Sequence, residues 1–237
     1  FIHNPKEEAV TLNCSFRISN RVPEFWYADT GRMERTAQFR NADGRVECPI
    51  RLDPFGSVFV VFRSTSRGLD PVAKVTPETA RVILDSNNQM QLIAEETGTY
   101  EIELASGKIV NVNVLDLQNP QAINDPWTVA FDGVGLKEEQ IFEFNHLLDW
   151  KEHARDAIKH FSGTASYRTR LNVSASWLGE GKRVYLDLGR VEIAAEVVLN
   201  GEAVGTLWKP PFVIDVTDQL ITGSNELEVR VTNLWAN

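Results

Sequence analysis

The residues with the clearest chemical potential lie around a short hairpin late in the sequence. Trp208 and Lys209 precede two prolines and Phe212, and Asn200 stands in an Asn-Gly pair before them. A tryptophan ring offers a flat apolar surface for stacking on a sugar, while lysine and asparagine side chains donate hydrogen bonds to hydroxyl groups. We therefore predict Trp208, Lys209 and Asn200 as carbohydrate contacts, with burial of Trp208 in the core as the alternative. The antiparallel return of the hairpin is expected to bring Trp208 near its Asn200 tip, and one stacked ring supports a dissociation constant of only about 1 mM.

The histidines and carboxylates do not form a recognisable catalytic or metal-binding pattern. His146, His153 and His160 are spaced by seven residues. On one helix, positions seven apart are separated by about 10 Å, too far for one zinc ion with ligand bonds near 2 Å. Glu101 and Glu103 alternate with apolar residues, which predicts a solvated strand face rather than a catalytic pair. We therefore assign no catalytic residue, no metal ligand and no cofactor.

Composition excludes several classes of partner. The chain has 237 residues, 43% of them hydrophobic, and a net charge of −9. An acidic chain is a poor ligand for nucleic acid or for an anionic membrane surface. No apolar run approaches the roughly 20 residues of a membrane-spanning helix. The opening Phe-Ile-His-Asn sequence has neither an initiating methionine nor a signal peptide, so we expect the chain to be a fragment of a longer protein.

Hydrophobic alternation with period two dominates the sequence and predicts an all-β protein. Val110, Val112 and Val114, for example, alternate with asparagines. The apolar run at 58–62 predicts a strand covered on both faces. The Asn-Gly pair at 200–201 predicts a type I′ turn, because that turn needs positive φ at both central residues. Residues 148–161 form the one longer helix candidate, with an aspartate at 149 as its N-cap.

A polar segment with two prolines, at 117–126, separates two sets of strand patterns. Segments of this composition are typical of domain boundaries. We predict a β-sandwich accessory domain at residues 1–118 and a jelly-roll domain at residues 119–237. Short strands separated by frequent turns are typical of both architectures.

Cys14 and Cys48 are the two cysteines of the chain, and each lies on the apolar side of a predicted strand. A free cysteine packs as a small apolar group. We therefore expect both thiols to be buried and reduced, with a disulfide between them as the alternative.

Motifs throughout the chain resemble a particular group of glycoside hydrolases. The segments at 160–168 and 186–201 resemble the sugar-binding-type jelly roll of these enzymes. The Trp-Lys-Pro-Pro sequence at 208–211 and the Thr-Asn-Leu-Trp sequence at 232–235 resemble the C-terminal region of bacterial α-L-rhamnosidases of glycoside hydrolase family 106. The Pro-Glu-Phe-Trp sequence at 23–26 resembles the β-sandwich before that jelly roll. The jelly-roll motifs are shared with family 2 hydrolases.

The resemblance implies two consecutive β-sandwich domains, the second a galactose-binding-like jelly roll, in the non-catalytic C-terminal part of a bacterial hydrolase. The catalytic acid and base of that family lie in an upstream (β/α)-barrel, which is the expected partner of this chain. The resemblance also implies a periplasmic or extracellular location. Whether a structural calcium ion is bound is left open.

Two other functions remain open on the sequence. The chain is also compatible with an independent carbohydrate-binding module and with a structural or protein-interaction sandwich. Aromatic residues at loop tips would favour sugar binding, whereas aromatic or apolar patches on an exposed sheet face would favour docking to protein.

Overall fold

The computed structural model describes residues 1–124, 126–133 and 140–233. The chain divides into two compact units, Phe1–Leu117 and Gln118–Asn237, and each has its own hydrophobic core. Leu234 and Trp235, from the last of the rhamnosidase-like motifs, lie outside the described residues. Within those residues, no helix is long and apolar enough to cross a membrane.

The first unit consists of antiparallel strands in three sheets. Its strands are β1 (Ile2–His3), β2 (Val10–Phe16), β3 (Glu24–Trp26), β4 (Met33–Thr36), β5 (Arg40–Ala42), β6 (Arg45–Leu52), β7 (Ser57–Val61), β8 (Val72–Thr76), β9 (Arg81–Leu84), β10 (Met90–Ile93), β11 (Gly98–Leu104) and β12 (Ile109–Val114). The largest sheet has the order β1, β7, β3, β4, β9, β10, and the two smaller sheets have the orders β12, β11, β8 and β2, β6, β5. Val22, Ile50, Leu52 and Tyr100 are among the fully buried side chains at its centre.

The second unit has one large antiparallel sheet and a two-stranded sheet. Its strands are β13 (Trp127–Gly133), β14 (Gln140–Phe144), β15 (Gly163–Val173), β16 (Tyr185–Asp187), β17 (Ala194–Leu199), β18 (Glu202–Leu207), β19 (Val213–Asp215) and β20 (Gly223–Thr232). The large sheet has the order β14, β13, β15, β20, β17, β18, and β16 pairs with β19. An aromatic cluster around Phe131, with edge-on contacts to Trp150 and Phe161, lies in its core.

The all-β prediction is confirmed, but the long helix predicted at 148–161 is wrong. That segment contains a 3-10 turn at Trp150–Glu152 and one short helix, α1, at Asp156–Lys159; a second 3-10 turn lies at Ala175–Trp177. Asp149 does act as an N-cap, accepting a hydrogen bond from the backbone N–H of Lys151 at 2.9 Å. The helix cannot continue because His153 and Arg155, between the two turns, have extended backbone conformations.

The prediction that the apolar run at 58–62 is covered on both faces is also wrong. Val58 is fully buried, whereas the neighbouring Phe59 is 45% exposed. Successive side chains of a strand point to opposite faces. Strand β7 therefore has one core face and one open face, although both carry apolar residues.

The two cysteines lie directly opposite each other, on strands β2 and β6. Both are free; Cys48 is buried, whereas Cys14 is only half-buried. The expected burial therefore holds fully for Cys48 and in part for Cys14. Burial, and to a smaller extent the neighbouring Cys14, raises the pKa of Cys48 to about 12. Burial also raises the pKa of Cys14.

We expect the Cys48 thiol not to react with a disulfide reagent in the native protein at pH 8. Because the thiolate is the reactive species, a pKa of about 12 leaves only about one thiolate in ten thousand at that pH. Titration should count two thiols in denaturant, and one in a Cys14→Ser variant. A count of zero for the unmodified chain in denaturant without reductant would contradict the free-thiol state.

Candidate functional site

The hairpin that carries the candidate carbohydrate contacts is formed by strands β17 and β18. Asn200 and Gly201 connect the strands with φ angles of 53° and 82°. Both angles are positive, as the type I′ turn requires, so the hairpin prediction is confirmed. Val197 and Leu199 on β17 are fully buried and fix this strand in the core.

The side chain of Asn200 is engaged by the protein itself. Its Nδ2 donates to the backbone oxygen of Gln219 and to Oδ1 of Asn225, both at 2.8 Å. Its Oδ1 accepts from the backbone N–H of Glu226 at 2.9 Å. Both amide protons and one acceptor site are therefore used. Asn200 holds the hairpin tip against the segment that leads into strand β20.

Asn225 forms the buried half of this connection. It has no exposed surface, and its Oδ1 accepts hydrogen bonds from Asn200 and from the backbone N–H of Ile221 at 2.9 Å. Its Nδ2 donates to the backbone oxygens of Ile221 at 2.8 Å and Gly223 at 3.0 Å. An asparagine amide offers two protons and two acceptor sites, and all four are satisfied here.

The hairpin places Trp208 away from Asn200, so the predicted proximity of the two residues is wrong. Ala195 pairs with Leu207, and Leu199 pairs with Glu202 beside the turn. Trp208 follows the pair farthest from the turn. At about 3.3 Å per residue, Trp208 and Asn200 lie on the order of 20 Å apart. The antiparallel return brings Trp208 back to the start of β17 rather than to the tip.

Trp208 lies at an exposed end of the hairpin. The Trp208 side chain is 59% exposed, and Lys209 is half-buried. Ile193, just before β17 at the same end, is 48% exposed and has a φ of 73°. A positive φ is strained for a β-branched residue, and such strain is concentrated at turns and ligand sites. This end of the hairpin, rather than the Asn200 tip, carries the exposed aromatic side chain.

We expect Asn200→Ala to lower the free energy of unfolding by about 2 kcal/mol, because it removes three hydrogen bonds and places alanine at positive φ. Trp208→Ala should change it by less than about 0.5 kcal/mol, since the side chain is mostly exposed. Urea denaturation of the two variants tests this difference. Equal effects would show that Asn200 has no special structural role.

Three carboxyl groups have pKa values below their ordinary range because cations and hydrogen-bond donors surround them. Burial alone would raise the pKa of Glu24, but hydrogen bonds from Arg63 and Ser64 and the Arg63 charge outweigh it. Burial opposes the pKa shift of Asp215 and of Glu228 in the same way. The hydrogen bonds that lower these two pKa values come from Thr217 and Arg183 for Asp215, and from Arg230 and Arg168 for Glu228.

These carboxylates are ionised at neutral pH. A glycosidase needs one carboxyl group that stays protonated until it donates its proton to the leaving group. Glu24, Asp215 and Glu228 are held in the opposite state, so none of the three has the pKa of a general acid.

The histidines are not arranged as a metal site. His153 stacks on Phe144 with ring centroids 5.4 Å apart, and its Nδ1 accepts from the backbone N–H of Arg155. His160 ends helix α1. In the described part of the chain, no group of three or more histidine, cysteine, aspartate or glutamate residues is placed to hold a metal ion.

The second unit has the fold class of a galactose-binding-like jelly roll, and comparison with known proteins confirms it. Residues 143–237 match the family model described as the glycosyl hydrolase 2 galactose-binding domain-like family. The matched segment contains the β17–β18 hairpin, Trp208 and Asn225. The predicted resemblance to the galactose-binding-like domain of glycoside hydrolases is therefore confirmed.

The likeness to glycoside hydrolases extends over both units. The rhamnosidase from Novosphingobium sp. PP1Y has a TM-score of 0.73 and 27% sequence identity, over 98% of this chain and 18% of that chain. The protein named "Putative beta-glucuronidase" from Formosa agariphila is 40% identical over 155 residues, which is 65% of this chain and 13% of that protein. The chain thus spans less than a fifth of the length of either relative, and it resembles an accessory, galactose-binding-like region of a glycoside hydrolase.

Proposed function

We propose that this chain is a non-catalytic accessory region of a rhamnosidase-like glycoside hydrolase, which supports the catalytic part of the same polypeptide. The observation that carries the proposal is the whole-chain likeness to 18% of the rhamnosidase from Novosphingobium sp. PP1Y. Both units take part in that likeness, which favours an accessory region made of the two together. By the same resemblance, we propose that the parent protein acts in the periplasm or outside the cell.

The electrostatics of the carboxyl groups support a non-catalytic role. Glu24, Asp215 and Glu228 are paired with arginines and have lowered pKa values. Glu24 has only 3% of its side chain exposed, so its carboxylate is hardly accessible to a substrate. Structural ion pairs account for these three groups.

A direct test is to incubate the purified chain with aryl α-L-rhamnoside, β-galactoside and β-glucuronide substrates from pH 4 to pH 8. We expect no turnover above that of a mock purification. Turnover that survives repurification, and that one Asp or Glu substitution within the chain abolishes, would overturn the proposal. Glu24→Gln and Glu228→Gln are the first substitutions to make, because both carboxylates pair with arginine and have low side-chain exposures, 3% and 16%.

A second candidate function is weak carbohydrate binding at the exposed end of the β17–β18 hairpin. The observation that favours it is the 59% exposure of Trp208, next to Lys209. Asn200 is a weaker candidate, because its side-chain amide is already bonded within the fold.

Titration with rhamnose, galactose and plant-glycan oligosaccharides, followed by NMR, tests this site. We expect shifts at Trp208 and Lys209 with a dissociation constant of about 1 mM, and their loss in Trp208→Ala. Tyr185→Ala is the matched control, since Tyr185 is another aromatic residue with 53% exposure in the same unit. Shifts confined to a distant face would exclude the Trp208 site.

A further inference from the structure

An uncovered apolar row crosses four neighbouring strands of the first unit. Trp26 on β3 lies directly opposite Met33 on β4 and Phe59 on β7, so the three side chains share one face of the sheet. Phe1, next to β1, continues this line, with its ring centroid 5.0 Å from that of Phe59. We call Phe1, Phe59, Trp26 and Met33 the apolar row.

Apolar residues on a core-facing strand are normally buried, but most of the apolar row is exposed to solvent. Phe59 is 45% exposed, Met33 is 64% exposed and Phe1 is 73% exposed. Single exposed apolar residues are common on protein surfaces, but contiguous ones mark contact sites. The row leaves on the order of 400 Å² of apolar surface open to solvent.

The polar groups beside the apolar row already form hydrogen bonds within the protein, so the row is poorly suited to a sugar. The indole N–H of Trp26 donates to Glu24 at 3.4 Å, and the Arg63 guanidinium lies over the Trp26 ring at 4.8 Å. Both oxygens of Glu24 accept hydrogen bonds, one from Arg63 and the other from Ser64. A sugar site needs placed polar groups for the hydroxyls of its ligand. The rings of Phe1 and Phe59 are also tilted by 55°, so they do not form one flat stacking surface.

We propose that the apolar row is a docking surface for the catalytic part of the same polypeptide. This inference rests on the proposed function. The rhamnosidase similar to this chain has 82% of its length outside the matched region, so a covering partner within one polypeptide is available. The row is too small for a stable dimer of this chain, which needs about 800 Å² from each partner. A tethered partner needs less area, because its effective concentration is in the millimolar range.

Methionine oxidation measures the accessibility of the row without any mutation. The chain contains two methionines, Met33 in the row and Met90 outside it, with exposures of 64% and 38%. Both should be oxidised by dilute hydrogen peroxide in the isolated chain. In the complete polypeptide we expect Met33 oxidation, followed by peptide mass spectrometry, to slow about tenfold while that of Met90 stays unchanged. Equal Met33 rates in the two proteins would overturn the proposal.

A substitution in the row gives a second, independent measurement. In the complete polypeptide, Phe59→Asp should remove the protection of Met33 and lower the temperature of half-inactivation of the glycosidase. Ile109→Asp is the matched control, since Ile109 is 55% exposed on β12, outside the row, and should leave both unchanged. Protection of Met33 that persists in Phe59→Asp would contradict docking at the row.

The remaining outcomes separate the other occupants of the row from the one proposed. Protection of Met33 in the isolated chain that rises with its concentration would assign the row to a second copy. Protection that appears only when oligosaccharide is added would assign it to a glycan. Turnover by the isolated chain would instead overturn the proposed function, and it would be seen in the hydrolysis assay whatever the state of Met33. A native protein with no further encoded region would overturn both proposals.

Discussion

Replacing Asn225 by alanine is expected to destabilise the second unit by about 3 kcal/mol. The variant loses four hydrogen bonds from a side chain with no exposed surface, including both bonds to the backbone of Ile221. The backbone groups of Ile221 and Gly223 that it leaves behind lie in part-buried hydrogen bonds, and an unpaired buried polar group costs about 1–3 kcal/mol. Urea denaturation followed by circular dichroism measures the loss.

Asn172→Ala is the matched control for this experiment, because Asn172 is exposed on strand β15 of the same unit. Its effect should stay within about 0.5 kcal/mol. Asn225→Asp provides a second comparison, since the carboxylate keeps the acceptors and loses the two donated bonds. A variant Asn225→Ala as stable as the control would show that the buried amide does not stabilise the connection between the hairpin and β20.

Replacing Arg63 by alanine is expected to destabilise the first unit by about 2 kcal/mol at pH 7. The carboxylate of Glu24, with 3% of its side chain exposed, receives two hydrogen bonds from Arg63, at 3.0 and 2.7 Å. Removing the arginine leaves a buried charge with only neutral donors. Breaking a fully buried pair costs about 3–5 kcal/mol, but Arg63 is 63% exposed, which reduces the effect.

The pH dependence of the Arg63→Ala effect identifies its origin. The pKa of Glu24 is lowered from its ordinary value of 4.5, so this group stabilises the folded state above that pH. That contribution is lost as the pH falls through the lowered pKa of the folded protein. The difference in stability between the unmodified chain and Arg63→Ala should therefore shrink below pH 4.5.

A matched ion pair supplies the control for Arg63. Arg190 pairs with Glu192 at 2.7 Å, but the two side chains are 88% and 50% exposed. Arg190→Ala should change the stability by less than about 0.5 kcal/mol at any pH. If Arg63→Ala had the same effect at pH 3 as at pH 7, its cause would be lost packing on Trp26 and not the charge of Glu24.

The fold was predictable because strand alternation and turn chemistry are local properties. A type I′ turn needs positive φ at both central residues wherever it occurs, and Asn200 and Gly201 both have positive φ. The helix predicted at 148–161 failed because helical spacing does not show that the backbone becomes extended at His153 and Arg155. Contacts of Trp150 and Phe161 with Phe131, which hold this segment against the core, are tertiary and leave no local pattern.

The candidate site was less predictable, because it depends on register and on covered faces. Trp208 and Asn200 are close in sequence, yet the pairing of Ala195 with Leu207 places them at opposite ends of the hairpin. Asn225 lies in a Thr-Gly-Ser-Asn sequence that predicts only a turn, and its hydrogen bond with Asn200, 25 residues away, leaves no local pattern. The open face of β7 was missed because an apolar residue such as Phe59 gives the same signal whether another part of a protein covers it or not.

The position of strand β20 in the second sheet constrains the order in which that sheet can assemble during synthesis. β20 lies between β15 and β17 and pairs with both. Thr164 and Thr232, joined through their hydroxyl groups, are 68 residues apart in the chain. Such distant pairings raise the contact order and slow folding. Until β20 has left the ribosome, strands β15 and β17 each have an unpaired edge. The complete sheet of the second unit therefore forms only after nearly all of that unit has been translated.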